Sequence, residues 1–132
     1  SSVQGFLSVP ARSSYSAAKH ALQGYCESIR AEEAENGVNI LVVSPAYVKT
    51  NHSLNSIRGD GSGYNKMDGA TQKGMDPDVL AEMICRSVLR RDGMLIVAPL
   101  YMKVIIVLQY LFPRLLAAFM SRKARKAHSS VH

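Results

Sequence analysis

Apolar positions recur at spacings of three and four through residues 12–36, where Ala17, Ala18, Ala21, Leu22, Tyr25, Cys26 and Ile29 fall in step. That period predicts a long helix, and Gly37 supplies its stop. The next stretch, "VNILVVSP" over 38–45, is rich in β-branched residues and almost wholly apolar, as a parallel strand buried on both faces should be. Residues 51–76 hold five glycines and little periodicity, which predicts a long loop serving as a lid. Periodicity returns in "DPDVLAEMICRSVLRR", 76–91, a second helix with Asp76 as its cap, Pro77 in its first turn and basic residues at its end. Gly93 stops it, and "MLIVA", 94–98, forms another strand. Helices alternating with buried strands predict an α/β fold.

The pattern changes after residue 98. Residues 99–120 are strongly apolar and long enough to span a bilayer, for which about 20 such residues suffice. Lys103 and Arg114 lie well inside the run, however, and make spanning costly. At about 100° per residue, Lys103, Tyr110, Arg114, Ser121 and Arg125 share one narrow stripe, with Gln109 off it and Pro113 placed to kink the helix. A basic stripe on an apolar cylinder suits a helix lying in a membrane interface. A helix covering its own domain's substrate opening ranks second and a spanning helix third; the first two are compatible.

Charge sharpens this division. All ten acidic residues precede position 103, while the net charge of +6 comes from Lys103, Arg114, Arg122, Lys123, Arg125 and Lys126. Nucleic-acid binding would not need such a distribution, and an anionic membrane surface is the better partner. The 132 residues make at most one modest domain. They open on "SSVQG" without a methionine, so the chain is expected to be the C-terminal part of something longer. Cys26 and Cys85 have no metal-ligand spacing and predict reduced, intracellular thiols.

Candidate chemistry centres on "SSYSAAKHAL", 13–22. Positions i and i+4 share a helix face, so Lys19 can hold its ammonium beside the phenol of Tyr15. A free tyrosine phenol has a pKa of about 10, too high for ready proton exchange at neutrality. A cation at 4 Å, in an effective dielectric near 20, favours the phenolate by roughly 4 kcal/mol before desolvation losses. Tyr15 then serves as general acid or base for an alcohol–ketone pair. Ser2, thirteen residues upstream at an expected strand end, can orient the carbonyl oxygen and share its developing charge. The strand ending at Pro45 follows, and open α/β sheets bind ligands at the carboxyl ends of their strands.

"SSVQG", "YSAAK" and "SPAYVKT", in this order and spacing, resemble the C-terminal half of a short-chain dehydrogenase/reductase over roughly residues 1–98. More narrowly, "YSAAKHALQGYCESIRAE", "SPAYVKTNHSLN", "DGSGYNKMD" and the basic "SRKARK" ending look like the dehydrogenase/reductase member 7B branch of that family, whose enzymes are membrane-associated and also carry an N-terminal anchor. The resemblance implies the C-terminal part of a Rossmann-type doubly wound parallel sheet, here with an apolar and basic helical extension over 99–132. It implies that Ser2 positions the substrate oxygen, Tyr15 transfers the proton, and Lys19 both favours the phenolate and binds the nicotinamide ribose. It also implies cofactor contacts from the Val48 backbone and the Thr50 hydroxyl, with Pro45 shaping the turn. NADP is favoured over NAD, an endoplasmic reticulum or peroxisomal membrane is implied, and so is a homodimer through the helix carrying Tyr15 and Lys19, where Ala17, Ala21 and Gly24 permit close approach. Two departures stand out. Ala46 occupies a position where the family usually has glycine, and its methyl group is placed to crowd the cofactor or shift the turn. The glycine-rich turn, the residue that chooses NAD or NADP and the catalytic asparagine are absent, so these 132 residues alone should neither bind the dinucleotide properly nor turn over.

Tyr47, His52 and Tyr64 are candidates for the substrate pocket or lid, beside packing roles. His20 is expected to face solvent or a partner helix. "RGD", 58–60, and the glycosylation match "NHS", 51–53, are taken as chance, and no histidine–carboxylate cluster has metal-ligand spacing. The function implied is NAD(P)-dependent interconversion of a hydroxyl and a keto group on a hydrophobic molecule, whether lipid-like ketone, steroid or retinoid. The alternative is a non-catalytic membrane- or partner-binding module that keeps the fold.

Overall fold

The computed structural model describes residues 1–52 and 54–129. A single 3-10 turn, Val3–Gly5, precedes helix α1, Ser13–Glu32. Strand β1, Val42–Pro45, is followed by the short α2, Gly69–Gln72, and by α3, Pro77–Leu89. Strand β2, Met94–Val97, then leads into α4, Leu100–Leu111, and α5, Pro113–Ser129. The strands pair in parallel, with Val42 opposite Met94 and Pro45 opposite Val97. Because parallel neighbours need a crossover, α2 and α3 lie between them in sequence. The α/β class and its parallel sheet are as the apolar pattern predicts.

Element ends differ from the sequence expectation for local reasons. After Glu32 the chain makes i→i+3 turns, Asn36 N–H to Glu33 O at 3.1 Å and Gly37 N–H to Ala34 O at 3.3 Å. Helical periodicity therefore persists in the sequence beyond the helix itself, until Gly37 turns the chain at φ +72°. Strand β1 is shorter than 38–45 because β2 offers four residues to pair with. Upstream of the ladder the Ile40 carbonyl accepts from Arg30 Nε at 3.1 Å, and the same guanidinium donates to Gly93 O at 2.6 Å. Arg30 thus ties α1 to the entrance of both strands. Helix α3 begins as expected: the Asp76 carboxylate accepts from the Asp78 N–H at 2.9 Å and Pro77 fills the first turn.

The inner side of α1 is polar. Ser16 and Gln23 are buried, while Leu22 and Tyr25 are exposed. Gly5 explains the inversion: a Cβ there would stand 2.9 Å from the Lys19 carbonyl, so the 3-10 turn lies directly on the helix backbone. The residues beneath are then fixed by hydrogen bonds, Ser16 Oγ to Gln4 Oε1 at 3.4 Å and Gln23 Nε2 to Ser44 Oγ at 2.9 Å. Buried polar groups are normally paired in this way, whereas Gln23 Oε1 has no hydrogen-bond partner among the described residues.

The apolar core is Val3, Phe6, Leu7 and Ile106, with Ala46, Ile96, Ala98, Ile105, Leu116 and Met120 packed against it. Four of these ten, Ile105, Ile106, Leu116 and Met120, come from α4 and α5, so the C-terminal helices are part of the packed domain. The two are bent by 120° at the Phe112–Pro113 junction. Proline lacks the N–H that a continuing helix needs. The stripe from Lys103 to Arg125 is therefore divided, with Lys103 and Tyr110 on one arm and Arg114, Ser121 and Arg125 on the other. Among the described residues no single helix is long and apolar enough to cross a membrane, although the bent pair passes that test by length and composition. The side chains of Lys123 and Lys126 lie outside the described residues, as does Ser53 of the "NHS" motif.

Candidate active site

The carboxyl end of β1 opens onto a cleft of about 830 Å³ between the 3-10 turn, the start of α1, the segment after Pro45 and α4. Of the residues singled out from sequence, Ser2, Tyr15, Pro45, Tyr47, Val48, Thr50, His52 and Tyr64 line it. Lys19 stands outside the wall, with Nζ 5.3 Å from the centroid of the Tyr15 ring. His52 flanks the same ring from the loop side, with centroids 6.5 Å apart and planes inclined at 51°.

Each position has a local cause. Ser2 caps the 3-10 turn, its hydroxyl oxygen accepting from the Gln4 N–H at 3.2 Å. The hydroxyl proton is directed to the Pro45 carbonyl at 3.5 Å, well beyond the usual length for O–H···O. So weak a bond is readily exchanged for one to a substrate oxygen. Tyr15 sits in the first turn of α1. The chain enters that helix through Ala11, whose φ of 64° is uncommon for a residue with a Cβ. His20 turns its Nδ1 to the Ser16 carbonyl at 2.8 Å.

The segment after β1 is held from behind. Met75 N–H donates to Tyr47 O and Lys49 N–H to Met75 O, both at 2.9 Å. In extended backbone the N–H and C=O of alternate residues point to opposite edges, so those of Val48 point away from Met75. Val48 therefore offers one donor and one acceptor at a segment that walls the cleft, which fits the carboxamide of a nicotinamide. Ala46 takes no left-handed φ, its N–H donates to Val97 O at 2.9 Å, and it packs against the core cluster. Alanine is accommodated at this turn.

Gly74 is the close-packed point of this arrangement. A Cβ on it would lie 2.8 Å from the Tyr47 carbonyl carbon and oxygen and the Val48 nitrogen, all backbone atoms that cannot rotate aside. Gly74→Ala should lower the stability of the protein by about 1–3 kcal/mol, read as a lower urea midpoint. An unchanged midpoint would show that the connector after α2 gives way freely.

The stretch 51–76 is folded over the cleft. Ile57 and Gly63 form an antiparallel bridge, so "RGD" occupies its turn, and Asp60 accepts from the Ser62 N–H and hydroxyl at 2.9 and 2.7 Å. Those hydrogen bonds hold the Asp60 carboxyl below its usual range. Arg58 lies over the Tyr64 ring, 5.8 Å from its centroid. Cleft residues that the sequence did not reveal include Arg12 and Asp68, paired at 3.7 Å, and Met102 and Ile106 from α4. Arg12 precedes Tyr15 by one helical turn, a signal available in the sequence. Met102 and Ile106 are spaced i, i+4, but only the fold shows that their side faces the cleft.

Among known proteins, a short chain dehydrogenase family model matches residues 1–60. The chain is 43% identical over 130 residues to a Drosophila melanogaster dehydrogenase/reductase SDR family protein 7-like, covering 98% of the chain and 40% of that protein. It is 44% identical over 126 residues to the Xenopus laevis dehydrogenase/reductase SDR family member 7B, covering 96% of the chain and 39% of that protein. The Mus musculus member 7B is 34% identical over 130 residues. The chain spans about two fifths of the length of the curated relatives it matches. No solved structure matches it.

Proposed function

Because residues 1–60 match a short chain dehydrogenase family model and nearly the whole chain is similar to dehydrogenase/reductase SDR family members, we propose that the whole protein belongs to that family and is a nicotinamide-dependent oxidoreductase interconverting a secondary alcohol and a ketone on a hydrophobic molecule. The observation carrying this is the meeting of Ser2 and Tyr15 on one cleft at the carboxyl end of β1, with the Lys19 ammonium against the Tyr15 ring. The Ser2 hydroxyl holds the reacting oxygen and Tyr15 moves the proton to or from it. Lys19 places positive charge where the phenolate develops. The nicotinamide, when bound, accepts or supplies the hydride. Val48, through its backbone, and Thr50 hold that end of the cofactor, with Pro45 shaping the approach. Which of NADP and NAD is used rests on residues beyond these, and NADP is favoured by family resemblance. Leu7, Val9, Ile57, Met102 and Ile106 give the cleft an apolar wall, which supports a lipid-soluble substrate. Under this proposal a second copy packs on the exposed side of α1, at Ala17, Ala21 and Gly24.

The test is hydride transfer by the full-length protein, offered lipophilic ketones and secondary alcohols with NADPH and NADH. Oxidation or reduction of the cofactor that depends on substrate and is lost with Tyr15→Phe supports the proposal. Substrate binding without any hydride transfer would favour the non-catalytic module.

A further inference from the structure

Among the described residues nothing packs on the outer surface of α4 and α5. At about 100° per residue, Leu100, Val104, Val107 and Leu111 share one side of α4, opposite Met102 and Ile106. Leu115 and Phe119 continue an apolar stripe on α5, next to rather than beneath Leu116 and Met120. Leu100 is 77% exposed, Leu111 64%, Leu115 69% and Phe119 60%, far beyond a normal scatter of single apolar residues. Both arms turn their inner residues to the same cluster of Val3, Phe6 and Leu7, so their outer residues face away from the domain together.

We propose that this two-armed surface docks in the interface of a bilayer carrying anionic headgroups, with α4 and α5 lying along the membrane. Charge complementarity selects the occupant. Lys103, Arg114, Arg122 and Arg125 border the apolar residues, and no acidic residue follows position 102. A second copy of so basic a surface would be repelled by the first. Tyr101 and Tyr110, 60% and 66% exposed, put aromatic rings with polar tips where headgroups meet acyl chains. The 120° bend gives two short amphipathic arms, a geometry for lying in an interface. The proposal stands apart from the catalytic one, although α4 also walls the cleft.

Phe119→Trp in the full-length protein provides a local reporter, read as the difference from the parent so that any other membrane attachment does not mask it. With vesicles of phosphatidylserine and phosphatidylcholine, lipids brominated near the headgroup should quench the new indole. Quenching should fade at high salt and on pure phosphatidylcholine, because screening shortens the reach of the basic border. In that background, Arg122→Gln, Lys123→Gln, Arg125→Gln and Lys126→Gln together should raise the lipid needed for half-maximal quenching at least tenfold. Leu111→Ser with Leu115→Ser, at exposed positions where folding is little affected, should raise it by a similar factor. Quenching only by deeply brominated lipid, indifferent to salt and to the four charge substitutions, would overturn the proposal in favour of a spanning segment. Absence of quenching on every vesicle would overturn it in favour of a protein partner, and indifference to the leucine substitutions would reduce the contact to a charge effect.

Discussion

Tyr15→Phe in the full-length protein should lower kcat by about 10²–10⁴-fold, the range supplied by a positioned general acid or base. Cofactor affinity should stay within about twofold of the parent. The substitution removes one oxygen and keeps the ring, so the Lys19 ammonium retains its aromatic face at 5.3 Å and His52 retains its neighbour at 6.5 Å. Ser2 keeps its own supports, the Gln4 N–H and the Pro45 carbonyl, neither of which involves Tyr15. The variant therefore separates proton transfer from the architecture around it. Steady-state rates, together with cofactor titration by fluorescence, give both quantities. Turnover within tenfold of the parent would remove Tyr15 from the chemistry, since nothing else lost in this variant touches the reacting atoms.

The alternating fold and the start of α3 were legible because the causes are local. A run of β-branched residues suits a strand wherever it lies, and Asp76–Pro77 caps a helix by its own chemistry. The inner side of α1 was not legible. Its apolar residues repeat at helical spacing, yet Ser16 and Gln23 face inward. That choice is made by contact with the 3-10 turn, where only glycine lets Gly5 approach the Lys19 carbonyl, and by partners distant in sequence, Gln4 and Ser44. The bend after Leu111 was foreshadowed by Pro113, but its angle is set by which side of each arm meets Val3, Phe6 and Leu7.

The candidate site divides the same way. Ser2, Tyr15 and Lys19 are readable as chemical types at a spacing, and so are the residues after Pro45. Arg12, Asp68, Met102 and Ile106 reach the cleft through tertiary packing, which periodicity does not encode. The structure keeps together the two residues that the spacing joins, but only one of them lines the cleft. Tyr15 lines the cleft, while Lys19 stands behind it against the ring.

That difference in placement makes Lys19→Met the most discriminating substitution. The Lys19 ammonium lies 5.3 Å from the centroid of the Tyr15 ring, and losing the charge beside a proton-transferring group should cost about 10²-fold, the lower end of what a positioned acid or base supplies. Methionine fills a similar volume without charge, so kcat should fall by about that factor while the helix persists. If Lys19 also donates to the nicotinamide ribose, cofactor affinity should fall by tenfold or more, since a hydrogen bond from a charged group contributes about 1.5–3 kcal/mol. Lys19→Arg distinguishes the two parts. It keeps the charge near the ring and should recover much of kcat, but its longer, forked head cannot reproduce the reach of an ammonium and should leave cofactor affinity low. Measuring kcat and cofactor dissociation for both variants resolves the roles. A loss confined to kcat would make Lys19 a positioning residue for Tyr15 alone, as its place outside the cleft wall suggests, and would deny the ribose contact. Loss of both, with kcat alone restored by arginine, would show that the side chain swings past the ring to meet the cofactor.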